Sequence, residues 1–143
     1  MAQIRNSGID MVEEDLWMIM NGLRGKAIPA ILNAGADVLI KGWKQQIGAD
    51  HHRTGAMENA VDKTAVRYGD DGASIEVYPM GTDNHRITNA QKAFILHYGR
   101  QPNNRGHKAI KGDKFVDKAE AAVLSEVEAA MLDAMDRFIA GKE

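Results

Sequence analysis

Apolar residues recur along this chain at helical spacing in three places, with alternating, turn-punctuated segments between the second and the third. Ile9, Val12, Leu16, Ile19 and Leu23 form the first stripe, and Asp10 with Glu13 has the pattern of a capping box at its start. Gly22 and Gly25 bracket its predicted end. A second helix is predicted from Ile28-Pro29, where proline suits the first turn, to about residue 47. Ile28, Ile31, Leu32, Val38, Leu39, Trp43 and Ile47 share its broad apolar face, and Gly35 and Gly42 fall on or beside it. Glycine costs roughly 1 kcal/mol against alanine inside a helix, so either the helix tolerates the pair or a close helix or backbone approach compensates.

Thr54 is predicted to cap a short helix from Gly55 to about Val61. Thr64–Tyr68 and Ala73–Tyr78 read as strands joined through Gly69-Asp70-Asp71-Gly72, and Pro79, which lacks a ladder donor, ends the second. Phe94, Leu96 and Tyr98 alternate as in a strand, whereas Asn89 can cap a helix through Ile95. The segment reads as a short helical turn feeding a strand at Ile95–Tyr98. Gly99–Lys114 follows as a loop rich in glycine, asparagine and basic side chains.

The last stripe is the longest. Phe115, Val116, Ala119, Ala122, Val123, Val127, Ala130, Met131, Ala134, Phe138 and Ile139 repeat with period 3.6, opposite Lys118, Glu120, Glu126, Asp133, Asp136 and Arg137. A helix of about 25 residues is ~37 Å long, more than a sheet of this size needs as cover, so another helix or another subunit is expected to complete its apolar face. The pattern predicts an α+β fold: a small antiparallel sheet packed against two or three helices, with a long C-terminal amphipathic helix. One domain spans residues 1–143, with an N-terminal helical segment at 1–26 and a basic loop at 100–114.

Composition narrows the function classes. The 143 residues are 44% hydrophobic and 27% charged, as in ordinary soluble domains, and suffice for a core without staples. No apolar run approaches the roughly 20 residues of a membrane span, and Met1–Gly8 lacks the apolar core of a secretory signal. The absence of cysteine excludes disulfides and thiolate metal sites. A net charge of −2 gives the chain no overall attraction for nucleic acid. The charge is unevenly spread: seven Lys/Arg between Lys92 and Lys118 face Asp113 and Asp117, whereas six acids from Ala119 onward face Arg137 and Lys142.

Candidate chemistry is thin. Neither the adjacent His51 and His52 nor the separate His85, His97 and His107 form a zinc motif, although Asp50 and the histidines can converge through the fold. Ser7, Ser74 and Ser125 lack a nucleophile elbow, and no phosphate-cradling or dinucleotide motif is present. No catalytic, cofactor or metal residue is therefore assigned. Arg100, Arg105, Lys108, Lys111 and Lys114 form the candidate contact with an acidic partner surface or a DNA channel, the alternative being a mobile solvated loop. No aromatic residue lies between Gly99 and Lys114 to stack on bases. Met131 and Met135, a turn apart, and Met18, off the main stripe of its helix, are candidate subunit-interface residues.

An ordered set of short elements carries a resemblance. Arg53-Thr54-Gly55-Ala56-Met57 is followed by Ala60-Val61, then by Val77-Tyr78-Pro79. Asn89-Ala90-Gln91-Lys92-Ala93-Phe94-Ile95-Leu96-His97-Tyr98-Gly99 comes next, and Phe115-Val116-Asp117-Lys118-Ala119 opens the last helix. Over roughly residues 30–140 the chain resembles the tail-component proteins of long-tailed bacteriophages and prophages, small tail-completion or neck proteins of the head–tail junction. It departs from them at His97, where many relatives carry an acid before Tyr-Gly, and in the length and composition of Arg100–Lys114. The resemblance implies a non-enzymatic virion protein, assembled in the bacterial host cytoplasm as a homo-oligomeric ring, hexameric when complete. It implies connector or stopper proteins on one side, tail proteins on the other, no cofactor, no membrane, and DNA passing through without being read. The competing expectations are a nucleic-acid-binding module using the loop 100–114 and a metal-dependent hydrolase using His51, His52 and a distant carboxylate.

Overall fold

The computed structural model describes residues 21, 23–52, 55–70, 72–103 and 105–141. The first predicted helix up to Met20, Met18 with it, lies outside the described residues, as do Thr54 and Asp71. A π-helical turn at Leu23–Ala27 leads into α1, Ile28–Asp50, and a short helix α2, Ala56–Asn59. Four three-residue strands follow: β1 Val61–Lys63, β2 Arg67–Gly69, β3 Gly72–Ser74 and β4 Val77–Pro79. Helix α3 spans Asn89–Tyr98, β5 is Gly99–Arg100, β6 is Ile110–Lys111, and α4 is Phe115–Ile139. The fold is α+β, and no helix among the described residues is long and apolar enough to cross a membrane.

Helices α1 and α4 form the body of the molecule, and they run antiparallel. Gly42 lies under Val123 and Gly35 under Met131, so rising numbers on one helix meet falling numbers on the other. A Cβ built on Gly42 would sit 2.9 Å from both Val123 methyl carbons, and one on Gly35 2.9 Å from Met131 Cγ and Sδ. Close approach is therefore the reason for both glycines, since lost helix propensity is offset by dispersion contacts across the seam. The predicted stripe of α4 is buried at Phe115, Ala119, Val123 and Ala134, but Ala122 and Ile139 are exposed.

The core lies at one end of this pair, where Trp43 and Ile47 of α1 meet Met57, Val61, Ala93, Phe115 and Ala119. Phe115 is fully buried, and removing its ring from water contributes about 3 kcal/mol. The ring contacts Trp43 edge-on at 5.9 Å between centroids.

The single sheet expected from the sequence is three separate two-stranded antiparallel ladders. β1 pairs with β4 from Val61↔Pro79 to Lys63↔Val77, and β2 pairs with β3 across the Gly69↔Gly72 turn. The two predicted strands are each interrupted because three residues, 64–66, stand opposite two, 75–76, which shifts the pairing register by one; there Thr64 donates its N–H to the Glu76 carbonyl at 2.9 Å and its hydroxyl accepts the Glu76 N–H at 3.1 Å. A second correction concerns residues 89–98. They form one helix, with no strand at Ile95–Tyr98, and its cap is Thr88, whose hydroxyl accepts the Gln91 N–H at 3.2 Å. Phe94 and Tyr98 are one helical turn apart, so they share an outward face, whereas Ala93 and His97 share the buried one.

Candidate functional site

The basic segment 100–114 is a fastened hairpin, not an open loop. β5 and β6 pair through Gly99↔Lys111 and Arg100↔Ile110. At the tip, Asn103 Oδ1 accepts N–H groups from Arg105 at 3.0 Å and His107 at 3.3 Å. The Asn103 side-chain amide also lies 2.9 Å from His107 Nδ1. Arg100 Nε donates to the Lys108 carbonyl at 3.2 Å, which ties that guanidinium to the hairpin, and Arg100 is half-buried. Arg105, Lys108 and Lys111 point to solvent and form no ion pair among the described residues. Lys114 is also exposed, with Nζ 4.2 Å from the centre of the Tyr98 ring, a cation–π contact. The five predicted cations thus lie on or beside one hairpin, but they do not share one role.

The base of the hairpin is where the chain is tightest. Gly99 has φ +84° and ψ 179°, and a Cβ there would lie 2.5 Å from the Ile110 carbonyl oxygen. A Cβ on Gly112 would meet the His97 carbonyl oxygen. The two glycines let the end of α3 and the approach to α4 touch backbone to backbone. Asp113 N–H donates to the Leu96 carbonyl and Lys114 N–H to the His97 carbonyl, both at 3.1 Å. Lys114 itself adopts the left-handed conformation, φ 57°.

Two histidines that carried only a loose metal expectation have structural positions here. His97, buried, accepts the Val116 N–H on Nδ1 at 3.2 Å, satisfying an N-terminal donor of α4. This bond requires the ring proton on Nε2. Asp113 Oδ1 accepts the Phe115 N–H at 3.0 Å. Its Oδ2 lies 2.7 Å from His51 Nε2, at ion-pair distance but without hydrogen-bond alignment. His51 and His97 also meet the Phe115 ring at 5.0 Å and 6.1 Å between centroids. The sequence signal for this arrangement was the Ala93–His97 spacing, which puts both on one helix face.

A broad cleft of about 1490 Å³ opens beside the hairpin, with His52, Glu58, Asp83, Lys92, Arg100 and His107 among its lining. Its carboxylates are engaged: Glu58 with His52 at 2.8 Å and Asp83 with Lys92 at 3.2 Å. Asp83 Oδ1 accepts the N–H groups of Ile87 at 2.9 Å and His85 at 2.8 Å. The Ile87 bond is the main cause holding this carboxyl below its ordinary value. Partial desolvation opposes it, and Lys92 and the His85 N–H add to the lowering. Among the described residues no three His, Asp or Glu side chains are arranged to hold a metal ion, so His51, His52, His85 and His107 are not brought together as ligands.

Of the predicted interface methionines, Met131 lies over Gly35 inside the α1–α4 seam, and Met135 is half-buried one turn on. The larger exposed apolar residues of α4 are Leu124, Leu132 and Ile139. Leu124 and Leu132 fall outside the stripe read from the sequence. Compared with known protein families, with curated proteins and with solved structures, the chain gives no match.

Proposed function

We propose that this chain is a structural virion protein of a long-tailed phage or prophage, a ring subunit that completes or joins the tail at the head–tail junction. One observation carries the reading. The separated elements of the resemblance to tail-component proteins converge in one core: Met57, Ala93 and Phe115 pack together, and His97 closes the same junction beside the Tyr98-Gly99 pair. Met57, Val61, Ala93, Phe115 and Ala119, all within the elements of the likeness, thus belong to the core that holds this fold. A basic hairpin and a long helix with exposed aliphatic side chains suit a subunit whose work is contact with other proteins.

On this reading the partners are further copies of the chain, the connector or stopper below the head, and tail proteins. The site of action is the neck or tail of the particle, and no cofactor or chemical step is involved. The test is a nonsense allele in the phage that encodes the chain. Expected are filled heads and separate tails by electron microscopy, joined again when the chain is supplied in trans, with the chain detected in purified particles by mass spectrometry. Intact, infectious particles lacking the chain would overturn the proposal.

Arg105, Lys108 and Lys111, exposed and without an ion pair among the described residues, favour a second reading, a nucleic-acid-binding module. It requires salt-dependent DNA binding by fluorescence anisotropy that weakens in a Lys108→Ala/Lys111→Ala variant. No binding at low salt removes it.

A further inference from the structure

The five most exposed large apolar side chains among the described residues fall in two groups of different chemistry. Phe94 and Tyr98, 62% and 59% exposed, stack on α3 with ring centroids 4.7 Å apart. Lys114 lies over Tyr98, Lys111 is exposed where its strand pairs with Gly99, next to Tyr98, and Lys108 is exposed three residues earlier in the hairpin. That face is aromatic and cationic. The second group is Leu124, Leu132 and Ile139 on α4, 58%, 57% and 73% exposed. Leu124, Glu128, Leu132 and Asp136 succeed one another at intervals of four, the spacing of a helix ridge, and Ile139 flanks its end. Glu128 and Asp136 are exposed and form no ion pair among the described residues. This ridge alternates aliphatic and acidic side chains.

Each face supplies what the other lacks. Carboxylates at i and i+8 on the ridge match ammonium groups spaced along a hairpin, and the leucines between them match exposed aromatic rings. The faces cannot meet within one chain, because Leu132 lies ~25 Å along the helix axis from Phe115, beside which Tyr98 and Lys114 sit.

We infer that the aromatic–basic face at Phe94, Tyr98, Lys111 and Lys114 docks on the Leu124–Glu128–Leu132–Asp136 ridge of a second copy of this chain. The contact uses two different patches, one from each copy, so it is heterologous and propagates head to tail until rotation closes it. This rests on the ring-subunit reading and gives that ring its interface. Coulomb attraction sets the register and makes association sensitive to salt, while the aromatic–aliphatic contact supplies the buried apolar area.

The absence of cysteine in the chain makes the test direct. Lys111→Cys and Glu128→Cys variants are prepared separately and mixed under mild oxidation, with Lys108→Cys and Asp136→Cys as a second pair. All four positions are exposed, and circular dichroism checks that each variant folds. The expected result is a mixed disulfide severalfold more abundant than either like-with-like dimer, suppressed as salt rises. Equal amounts of mixed and like dimers, or no dimer from either pair, overturn the inference. So does an intrachain disulfide in a Met18→Cys/Leu132→Cys variant that forms independently of protein concentration, because the stripe of residues 9–23 would then be the occupant of the ridge. If cross-linking fails while the nonsense allele still yields unjoined heads and tails, this interface is wrong and the proposed function stands. If particles assemble normally without the chain, the functional reading fails whatever the disulfides show.

Discussion

Glycine builds two close contacts in this molecule, and they differ in what sits opposite. In the α1–α4 seam, the nearest atoms to Gly42 and Gly35 are the ends of side chains, Val123 and Met131, with the Ala119 carbonyl oxygen farther off, 3.4 Å from a Cβ on Gly42. At the hairpin base, Gly99 and Gly112 face backbone atoms of Ile110, Gly112 and His97. A side chain can rotate or shift by a few tenths of an ångström, but a backbone fixed at both ends by hydrogen bonds cannot. The seam is therefore a tunable contact, and the hairpin base a fixed one.

Substitutions should rank accordingly. Gly99→Ala combines a backbone conformation suited to glycine with an overlap at the Ile110 carbonyl, and is expected to cost about 4 kcal/mol, measured by urea denaturation. A loss below about 1 kcal/mol would show that the hairpin base yields as the seam does. Gly42→Ala is expected to cost about 1–2 kcal/mol net, because the two methyl groups of the stiff Val123 meet the new Cβ and outweigh a helix-propensity gain of roughly 1 kcal/mol. Gly35→Ala should be within about 0.5 kcal/mol of neutral, since the flexible Met131 thioether can swing aside and the propensity gain remains. Equal destabilisation by the two seam substitutions would break the distinction between a stiff and a soft opposing side chain.

The smallest effect is expected outside both regions, at Asp83. Its carboxyl is held below the ordinary value of 3.8, so its contribution to stability is present above that pH and is lost as pH falls through the lower folded-state value. Asp83→Asn should flatten the acid limb of a stability–pH profile below about pH 4 and leave its neutral region nearly level. A parent and variant whose profiles fall in parallel would contradict this.

The seam was legible in the sequence and the hairpin base was not, for the same physical reason that they respond differently. Trp43, Ile47, Ala119 and Val123 announce themselves through a 3.6-residue period, and the glycines on that face leave close approach open beside simple tolerance. The last helix consequently begins at Phe115 and runs for 25 residues, as its pattern suggested. Backbone-to-backbone contacts leave no periodic trace. Gly99 and Gly112 are twelve intervening positions apart in the chain, and nothing local distinguishes them from loop glycines. The strand misread at Ile95–Tyr98 arose because Phe94, Leu96 and Tyr98 alternate, although Phe94 and Tyr98 are exposed and the buried pair is Ala93 and His97. At the candidate site, the identities of the five cations were readable. Their separation into an engaged Arg100, a ring-bound Lys114 and three open cations depended on hairpin pairing that the sequence did not disclose.

The antiparallel pairing of α1 with α4 also bears on when the protein can fold. Val123 and Met131 find their glycine partners near the other end of the described chain, so forming the seam requires closure of a loop containing nearly all the intervening structure. During synthesis, the stripe of α1 that carries Gly35 and Gly42 must wait for its partner until α4 has left the ribosome. Ribosomal arrest or truncation before Val123 would release a chain with its hairpins encoded but its longest apolar surface open, a substrate for chaperones and proteases.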